Sequence, residues 1–173
     1  MGLFSALYIV TASLASFVTQ VGYPEHFLRG ILMTSLIVYA GKRKWSATTM
    51  GVVCGIIFAL VVPSPAPYLL PSTITSGLIF DLVLLVTRYY SQVQALSSKL
   101  MIAAGISGIS ESMVALVILT YFSPHTLGST LNAIEVAWLL DLVLNVVLSV
   151  VGAMIAIRLL SKVLNSRVQQ SRA

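Results

Sequence analysis

The chain has 173 residues, of which 58% are hydrophobic and only 9% are charged, whereas about a quarter of the residues are charged in an average soluble domain. A mean hydropathy of +0.98 is too high for a soluble fold of this size, because much of any folded surface must face water. The net charge of +5 includes no basic run longer than three residues, which argues against nucleic-acid binding, and the lone Cys54 excludes an intrachain disulfide.

Six apolar segments that are long enough, or nearly so, to cross a bilayer as helices follow one another along the chain. They cover residues 3–21, 25–40, 45–62, 71–90, 97–122 and 133–164. The prolines between Pro63 and Pro67 give the clearest stop, at the end of the third segment. The runs are continuous and do not alternate as the strands of a membrane barrel do. We therefore predict an all-α membrane protein in which residues 1–173 form one compact bundle of six transmembrane helices.

Lysine and arginine predict the orientation of this bundle, because they collect on the cytoplasmic side of a membrane. Nine of the ten lie in the loop after the second segment, around the junction of the fourth and fifth segments, or at the C-terminal end; Arg29 is the exception. With six spans these three regions share one face. Both termini are therefore predicted to be cytoplasmic (N-in, C-in), in a multi-pass protein of the plasma membrane.

Three acidic residues fall inside the last three segments, where a charge is costly to bury and often marks a functional site. They are Asp81, Glu111 and Asp141, and Asn145 follows one helical turn after Asp141 on the same face. Counting along the helices puts these groups at comparable depths. Two interpretations stay open: a polar cavity that binds a small ligand with hydrogen-bond donors or positive charge, or carboxyl groups that only connect neighbouring helices.

Further candidates lie near the predicted outer face. His26 either pairs with Glu25, binds substrate or is a solvated interfacial group. Arg29 is the only cation on that face and would attract an anionic group of a ligand. Trp138 belongs either to the aromatic belt or to a wall on which a heteroaromatic ring stacks.

Small residues recur at helical spacing, as in Ala12 and Ser16 of the first segment and Gly51 and Gly55 of the third. Such residues serve either packing within a bundle or docking of a partner subunit. The sequence contains no P-loop, no His-Glu-x-x-His zinc motif and no Gly-x-Ser-x-Gly nucleophile motif. We therefore predict no enzymatic activity, no metal site and no cofactor.

Three stretches carry a resemblance to a known family: FLRGILMTSLIVYAGKRKWSATTMGVVCGIIFAL (Phe27–Leu60), LLPSTITSGLIFDLVLLVTRYYS (Leu69–Ser91) and LNVVLSVVGAMIAIRLLSKVL (Leu144–Leu164). In these stretches the chain resembles the substrate-binding S components of energy-coupling factor (ECF) vitamin transporters. Within that family it looks most like the thiamine-precursor branch, which handles hydroxymethylpyrimidine. The second stretch is similar to a small-residue helix with a central acid, and the third to a last helix with a mid-helix glycine and a basic end.

The resemblance implies that the ligand contacts the polar residues of the last three segments, Asp81, Glu111, Asp141 and Asn145. Ala12 and Ser16 stand where the family has an alanine-x-x-x-alanine contact for a transmembrane coupling subunit, with serine replacing the second alanine. A coupling subunit and two cytoplasmic ATPases are the implied protein partners.

The sequence thus predicts a substrate-binding subunit of an ATP-driven uptake system for a vitamin or vitamin precursor, in contact with a small-molecule substrate and with membrane lipid. A non-transporting structural subunit of a larger membrane complex is a second interpretation. A proton- or cation-coupled carrier with Asp81 and Glu111 as relay groups is a third. No convincing internal repeat supports the third.

Overall fold

The computed structural model of the chain describes residues 6–7, 10, 23–40, 43–61, 69–91, 98–122 and 131–170. In these ranges the protein is helical and has no strand. The α-helices are α1 (Tyr23–Tyr39), α2 (Ser46–Val61), α3 (Leu69–Val86), α4 (Ser98–Phe122) and α5 (Leu131–Gln170), with a short 3-10 turn at Tyr89–Ser91. The prediction of an all-helical fold is confirmed.

Helices α1 to α5 correspond to the second to sixth predicted segments. Of the first segment only residues 6, 7 and 10 are described, so Ala12 and Ser16 lie outside the described residues. Two described helices, Ser98–Ile118 and Trp138–Val163, are long and apolar enough to cross a membrane, whereas Ser46–Ile57 and Leu70–Val86 are apolar but shorter. These two helices give the membrane assignment only weak support, and six spans are not confirmed.

Helix α3 ends at Val86, before the predicted end of the fourth segment at residue 90. Thr87 still donates its N–H to the carbonyl oxygen of Val83 at 2.9 Å, but the N–H of Arg88 bonds to Leu85 at 3.0 Å, which is the tighter 3-10 pattern. Arg88 then adopts a φ of 53°, in the left-handed region, and turns the chain out of the helix. Helix α5, in contrast, continues for 40 residues and passes both predicted ends of the sixth segment.

The helices form a ring in which α5 packs between α1 and α4, and α3 packs between α2 and α4. Glycine allows the closest approaches: a Cβ atom at Gly30 of α1 would collide with the backbone of Ser149 on α5, and one at Gly77 of α3 would collide with the backbone of Ala47 on α2. Backbones approach this closely only where a side chain is missing. These crossings fix the distance between the helices of each pair.

One end of the bundle is rich in basic side chains. Helix α3 ends there and α4 begins there, joined by a hydrogen bond of 2.6 Å from Lys99 Nζ to the carbonyl oxygen of Thr87. The turn that precedes α2 adds Arg43 and Lys44, both exposed, and Arg88 follows α3. We call this region, with Arg43, Lys44, Arg88 and Lys99, the basic end.

The bundle buries polar side chains and exposes large apolar ones. The exposed apolar side chains on the outer faces of α4 and α5 include Ile102, Ile106, Ile109, Met113, Val117, Leu139, Leu140, Val143 and Val147. Arg29, Asp81, Glu111 and Asn145 are all buried. An apolar core of side chains such as Met33, Ile37, Phe80, Leu100 and Ala153 fills the half of the bundle nearer the basic end. The polar interior lies mainly in the other half, so apolar side chains form both part of the core and the outer faces of α4 and α5.

Candidate functional site

A buried ion pair lies at the centre of the bundle. Arg29 on α1 is only 1% exposed, and its Nη1 pairs with Oε2 of Glu111 on α4, whose side chain is 9% exposed. Nη2 of Arg29 also donates to Oδ1 of Asn145 and, at 2.9 Å, to Oγ of Ser149, both on α5. One guanidinium therefore joins three helices, and its charge is compensated by a carboxylate in a site with little access to water.

Asn145 connects this ion pair to a second carboxylate. Its Nδ2 lies 3.3 Å from Oε2 of Glu111 and 2.9 Å from Oγ of Ser112, donating to both. Ser112 in turn donates its hydroxyl proton to Oδ2 of Asp141 at 3.0 Å. The amide and the hydroxyl thus form a continuous hydrogen-bonded path from Glu111 to Asp141.

Asp141 lies where the polar interior becomes accessible, because 42% of its side chain is exposed. Its Oδ1 is 3.4 Å from Nε2 of His26, whose side chain is 12% exposed. The other ring nitrogen of His26, Nδ1, is buried and has no hydrogen-bond partner among the described residues. Trp138 lies on α5, one turn before Asp141. It donates its indole N–H to the backbone carbonyl oxygen of Ser112 at 3.1 Å. The hydrogen bond fixes the orientation of the indole ring beside the carboxylate.

We call this group the central polar network; its members are His26, Arg29, Glu111, Ser112, Trp138, Asp141, Asn145 and Ser149. Six of the seven residues predicted to bind substrate belong to it. The sequence predicts that Arg29 attracts an anionic group of a ligand; in the structure its guanidinium pairs with the carboxylate of Glu111. Whether a hydrated cavity lies between these side chains stays a prediction.

Asp81, the seventh predicted residue, belongs to a separate set of hydrogen bonds near the basic end. Its Oδ2 accepts bonds from the backbone N–H of Thr48 at 2.7 Å and from Thr48 Oγ1 at 2.8 Å, and its Oδ1 accepts a bond from the Tyr90 hydroxyl at 2.7 Å. Thr48 lies in the first turn of α2, so the carboxylate satisfies a free N–H and complements the positive end of that helix. Asp81 thus accepts hydrogen bonds from Thr48 and Tyr90 and does not belong to the central polar network.

The two tyrosines after α3 are held in their neutral form. Burial raises the pKa of Tyr89 to about 12. Burial and the hydrogen bond to Asp81 both raise the pKa of Tyr90. The rings of Tyr89 and Tyr90 meet edge to face, with their centroids 5.8 Å apart. The Tyr90 hydroxyl therefore remains a hydrogen-bond donor to Asp81 into the alkaline range.

Sequence reasoning missed Ser112 and Ser149 as members of the network. Ser149 follows Asn145 by four residues, as Asn145 follows Asp141, so extending the same helical face by one turn would have identified it. Ser112 directly follows Glu111 in the sequence, but an uncharged serine gives no comparable signal. Within the described ranges, no three His, Cys, Asp or Glu side chains come together as a group that would hold a metal ion.

Comparison of the chain with models of known protein families, with curated proteins and with solved structures finds no match.

Proposed function

We propose that this chain is a multi-pass membrane protein that binds a small polar solute at the central polar network, as the solute-binding subunit of an uptake transporter. The observation that carries the proposal is the network itself. It draws side chains from three helices, is exposed at Asp141, and ends in the buried Arg29–Glu111 pair. Ionisable groups inside an apolar bundle are costly and are retained most often at sites of binding or transport.

The outer faces of the helices support the membrane part of the proposal. The exposed apolar side chains on α4 and α5 form long rows, whereas a soluble monomer rarely exposes a large contiguous apolar patch. Lipid would cover these rows. The basic end would then face the cytoplasm of a plasma-membrane protein, with both termini inside, since lysine and arginine favour that side.

The exposed part of the network suggests the chemistry of the solute. Asp141 offers a partly exposed carboxylate that would accept hydrogen bonds or pair with a positive charge. Next to it, His26 Nδ1 is buried and provides a further polar atom without a partner in the described structure. The fixed ring of Trp138 provides a flat surface for stacking. An amino-substituted or cationic heteroaromatic compound, such as a vitamin or vitamin precursor, combines these three requirements.

The energy source in this proposal comes from the resemblance to ECF S components. Transport would require a transmembrane coupling subunit and cytoplasmic ATPases, since the sequence has no P-loop. Co-purification of a tagged chain from its native membrane, followed by mass spectrometry of the intact complex, tests this part. Recovery of the chain with another membrane complex that lacks ATPases would favour the structural-subunit interpretation.

Two carboxylates of the same chain offer a matched test of the binding site. Asp141→Asn removes the charge of the partly exposed carboxylate of the network. Asp81→Asn makes the same change in a carboxylate that accepts hydrogen bonds from Thr48 and Tyr90. A charge-assisted hydrogen bond contributes about 1.5–3 kcal/mol, so we expect Asp141→Asn to weaken solute binding about ten- to a hundredfold. Asp81→Asn should lower the melting temperature and leave affinity unchanged.

The binding measurement is native mass spectrometry of gently purified protein, titrated with hydroxymethylpyrimidine and thiamine as first probes. A Trp138→Phe variant keeps a ring but loses the N–H that orients it, and should give an intermediate loss of affinity. If Asp141→Asn binds as tightly as the unmodified chain, or if Asp81→Asn alone abolishes binding, the site has been assigned to the wrong carboxylate.

A proton-coupled carrier is a second candidate, favoured by the hydrogen-bonded path between Asp141 and Glu111. The path is less suited to a relay than to binding, because the Asn145 amide in its middle does not readily take up and release protons. The relay proposed from sequence used Asp81 with Glu111, and these residues lie in separate sets of hydrogen bonds. Solute-dependent acidification of proteoliposomes that Glu111→Gln abolishes would favour the carrier.

A further inference from the structure

A second feature lies at the basic end, remote from the central polar network. Among the described residues, Lys44, Leu85, Arg88 and Tyr90 line an open cavity of about 260 Å³. Two of these four side chains are cationic, one carries a hydroxyl, one is apolar, and none is acidic. The cavity therefore has the composition expected of a site for an anion with an attached apolar part.

The walls of this cavity are held by hydrogen bonds on both sides. Tyr90 donates to Oδ1 of Asp81 at 2.7 Å, and Oδ2 of the same carboxylate accepts the N–H of Thr48 at 2.7 Å. This bridge fixes Tyr90 relative to the start of α2, next to Lys44. The Lys99–Thr87 bond of 2.6 Å holds the turn that carries Arg88. The two cations thus project from turns that are anchored to different helices.

The backbone at the cavity is also unusual. Among the described residues other than glycine, only Trp45 (φ 65°) and Arg88 (φ 53°) have positive φ. This conformation is unfavourable for residues with a Cβ atom and tends to persist at functional sites. Trp45 follows Lys44 directly, and Arg88 lines the cavity itself. The two residues with positive φ therefore determine the direction of the backbone next to the cations that line the cavity.

We propose that the Lys44–Arg88 cavity binds the phosphate group of an anionic phospholipid. An apolar surface on α3 leads away from the cavity, because Leu78 and Leu82 are exposed and share a helical face with the lining residue Leu85. Acyl chains would follow that surface while the phosphate lies between the two cations. A soluble phosphate ester presents the same anion but has no use for the apolar surface. This inference does not depend on the solute site.

The test compares the binding of two lipids to the purified chain and to its variants. Phosphatidylglycerol and phosphatidylcholine with identical acyl chains are titrated into delipidated protein, and native mass spectrometry counts the bound lipids. The test variant is Lys44→Gln/Arg88→Gln. The matched control is Arg43→Gln/Arg158→Gln, which removes the same charge from two exposed residues that do not line the cavity.

The test variant removes both cations that line the cavity, so it should bind phosphatidylglycerol about thirtyfold more weakly, which is about fivefold for each lost contact between a cation and the phosphate. The control should bind it with nearly unchanged affinity, and phosphatidylcholine should bind weakly to all forms. If the double variant folds poorly, Lys44→Gln alone serves as a second test, because Lys44 lies in an exposed turn. This single variant should weaken phosphatidylglycerol binding about fivefold.

Competition with glycerol 3-phosphate separates the two sources of phosphate. Weak competition assigns the cavity to lipid; strong competition that also depends on Lys44 and Arg88 assigns it to a soluble phosphate ester. Equal phosphatidylglycerol binding by test and control variants, or equal binding of the two lipids to the unmodified chain, would overturn the proposal.

Discussion

The Arg29–Glu111 pair allows a quantitative test of the central polar network. Replacing Arg29 by methionine keeps an unbranched side chain but removes the positive charge and the bonds to Asn145 and Ser149. The Glu111 side chain is only 9% exposed, so water cannot replace the lost partner. Removing one member of a buried ion pair costs about 3–5 kcal/mol. For a chain of this length that corresponds to a melting temperature lower by about 6–20 °C.

The double variant Arg29→Met/Glu111→Met should be less destabilised than the sum of the single variants. A buried pair replaced by apolar groups leaves no isolated charge, and neighbours in one network typically deviate from additivity by about 0.5–3 kcal/mol. Thermal unfolding of the three variants in one detergent, followed by circular dichroism of the helical signal, measures both effects. Arg43→Met is the control, because Arg43 is exposed. Single variants that melt within about 2 °C of the unmodified chain, or an additive double variant, would refute this reasoning.

Three further predictions concern other parts of the bundle. Asp81→Asn should destabilise the chain by about 1–3 kcal/mol, measured by the same melting assay, because the Thr48 N–H loses its charged acceptor. Gly30→Ala should cost about 1–3 kcal/mol, since the new methyl group meets backbone; Gly105→Ala, which meets only the end of a side chain at 3.1 Å, should cost less. The raised pKa of Tyr89 predicts that its contribution to stability is complete below pH 10 and is lost as the pH rises to about 12. Alkaline melting curves should show this loss in the unmodified chain and a smaller loss in Tyr89→Phe.

The polar residues stand out in the sequence because burial of charge in an apolar chain has few explanations. His26, Glu111 and Asp141 stand out against an apolar background, and in the structure they belong to one network. Asp81 stands out equally in the sequence but accepts hydrogen bonds from Thr48 and Tyr90 instead. Counting residues from a predicted helix start gives depth only approximately, and it gives no information about which neighbour a side chain meets. The pairing of α2 with α3 decides the role of Asp81, and pairing is a property of the whole fold.

The ends of the helices were harder to predict than their existence. The apolar run of the fourth segment continues to Tyr90, yet α3 ends at Val86 because the chain turns at Arg88. No proline or glycine marks that turn, so the sequence gives no local signal for it. The cavity at Lys44 and Arg88 depends on this turn and was not foreseen. Sequence patterns therefore predict the helices, but not the shape of the basic end.

The length of α5 has a mechanical consequence. A helix of 40 residues is about 60 Å long, whereas a bilayer with its headgroups measures about 40–45 Å. If the helix crosses the membrane, its C-terminal turns extend into water as a rigid arm. The part of the helix from Asn145 to its end at Gln170 measures about 37 Å, so a tilt of about 5° at Asn145 would move the end by about 3 Å. A rearrangement of hydrogen bonds around one buried amide would in this way be magnified at the membrane surface, where a spin label near residue 170 would detect it.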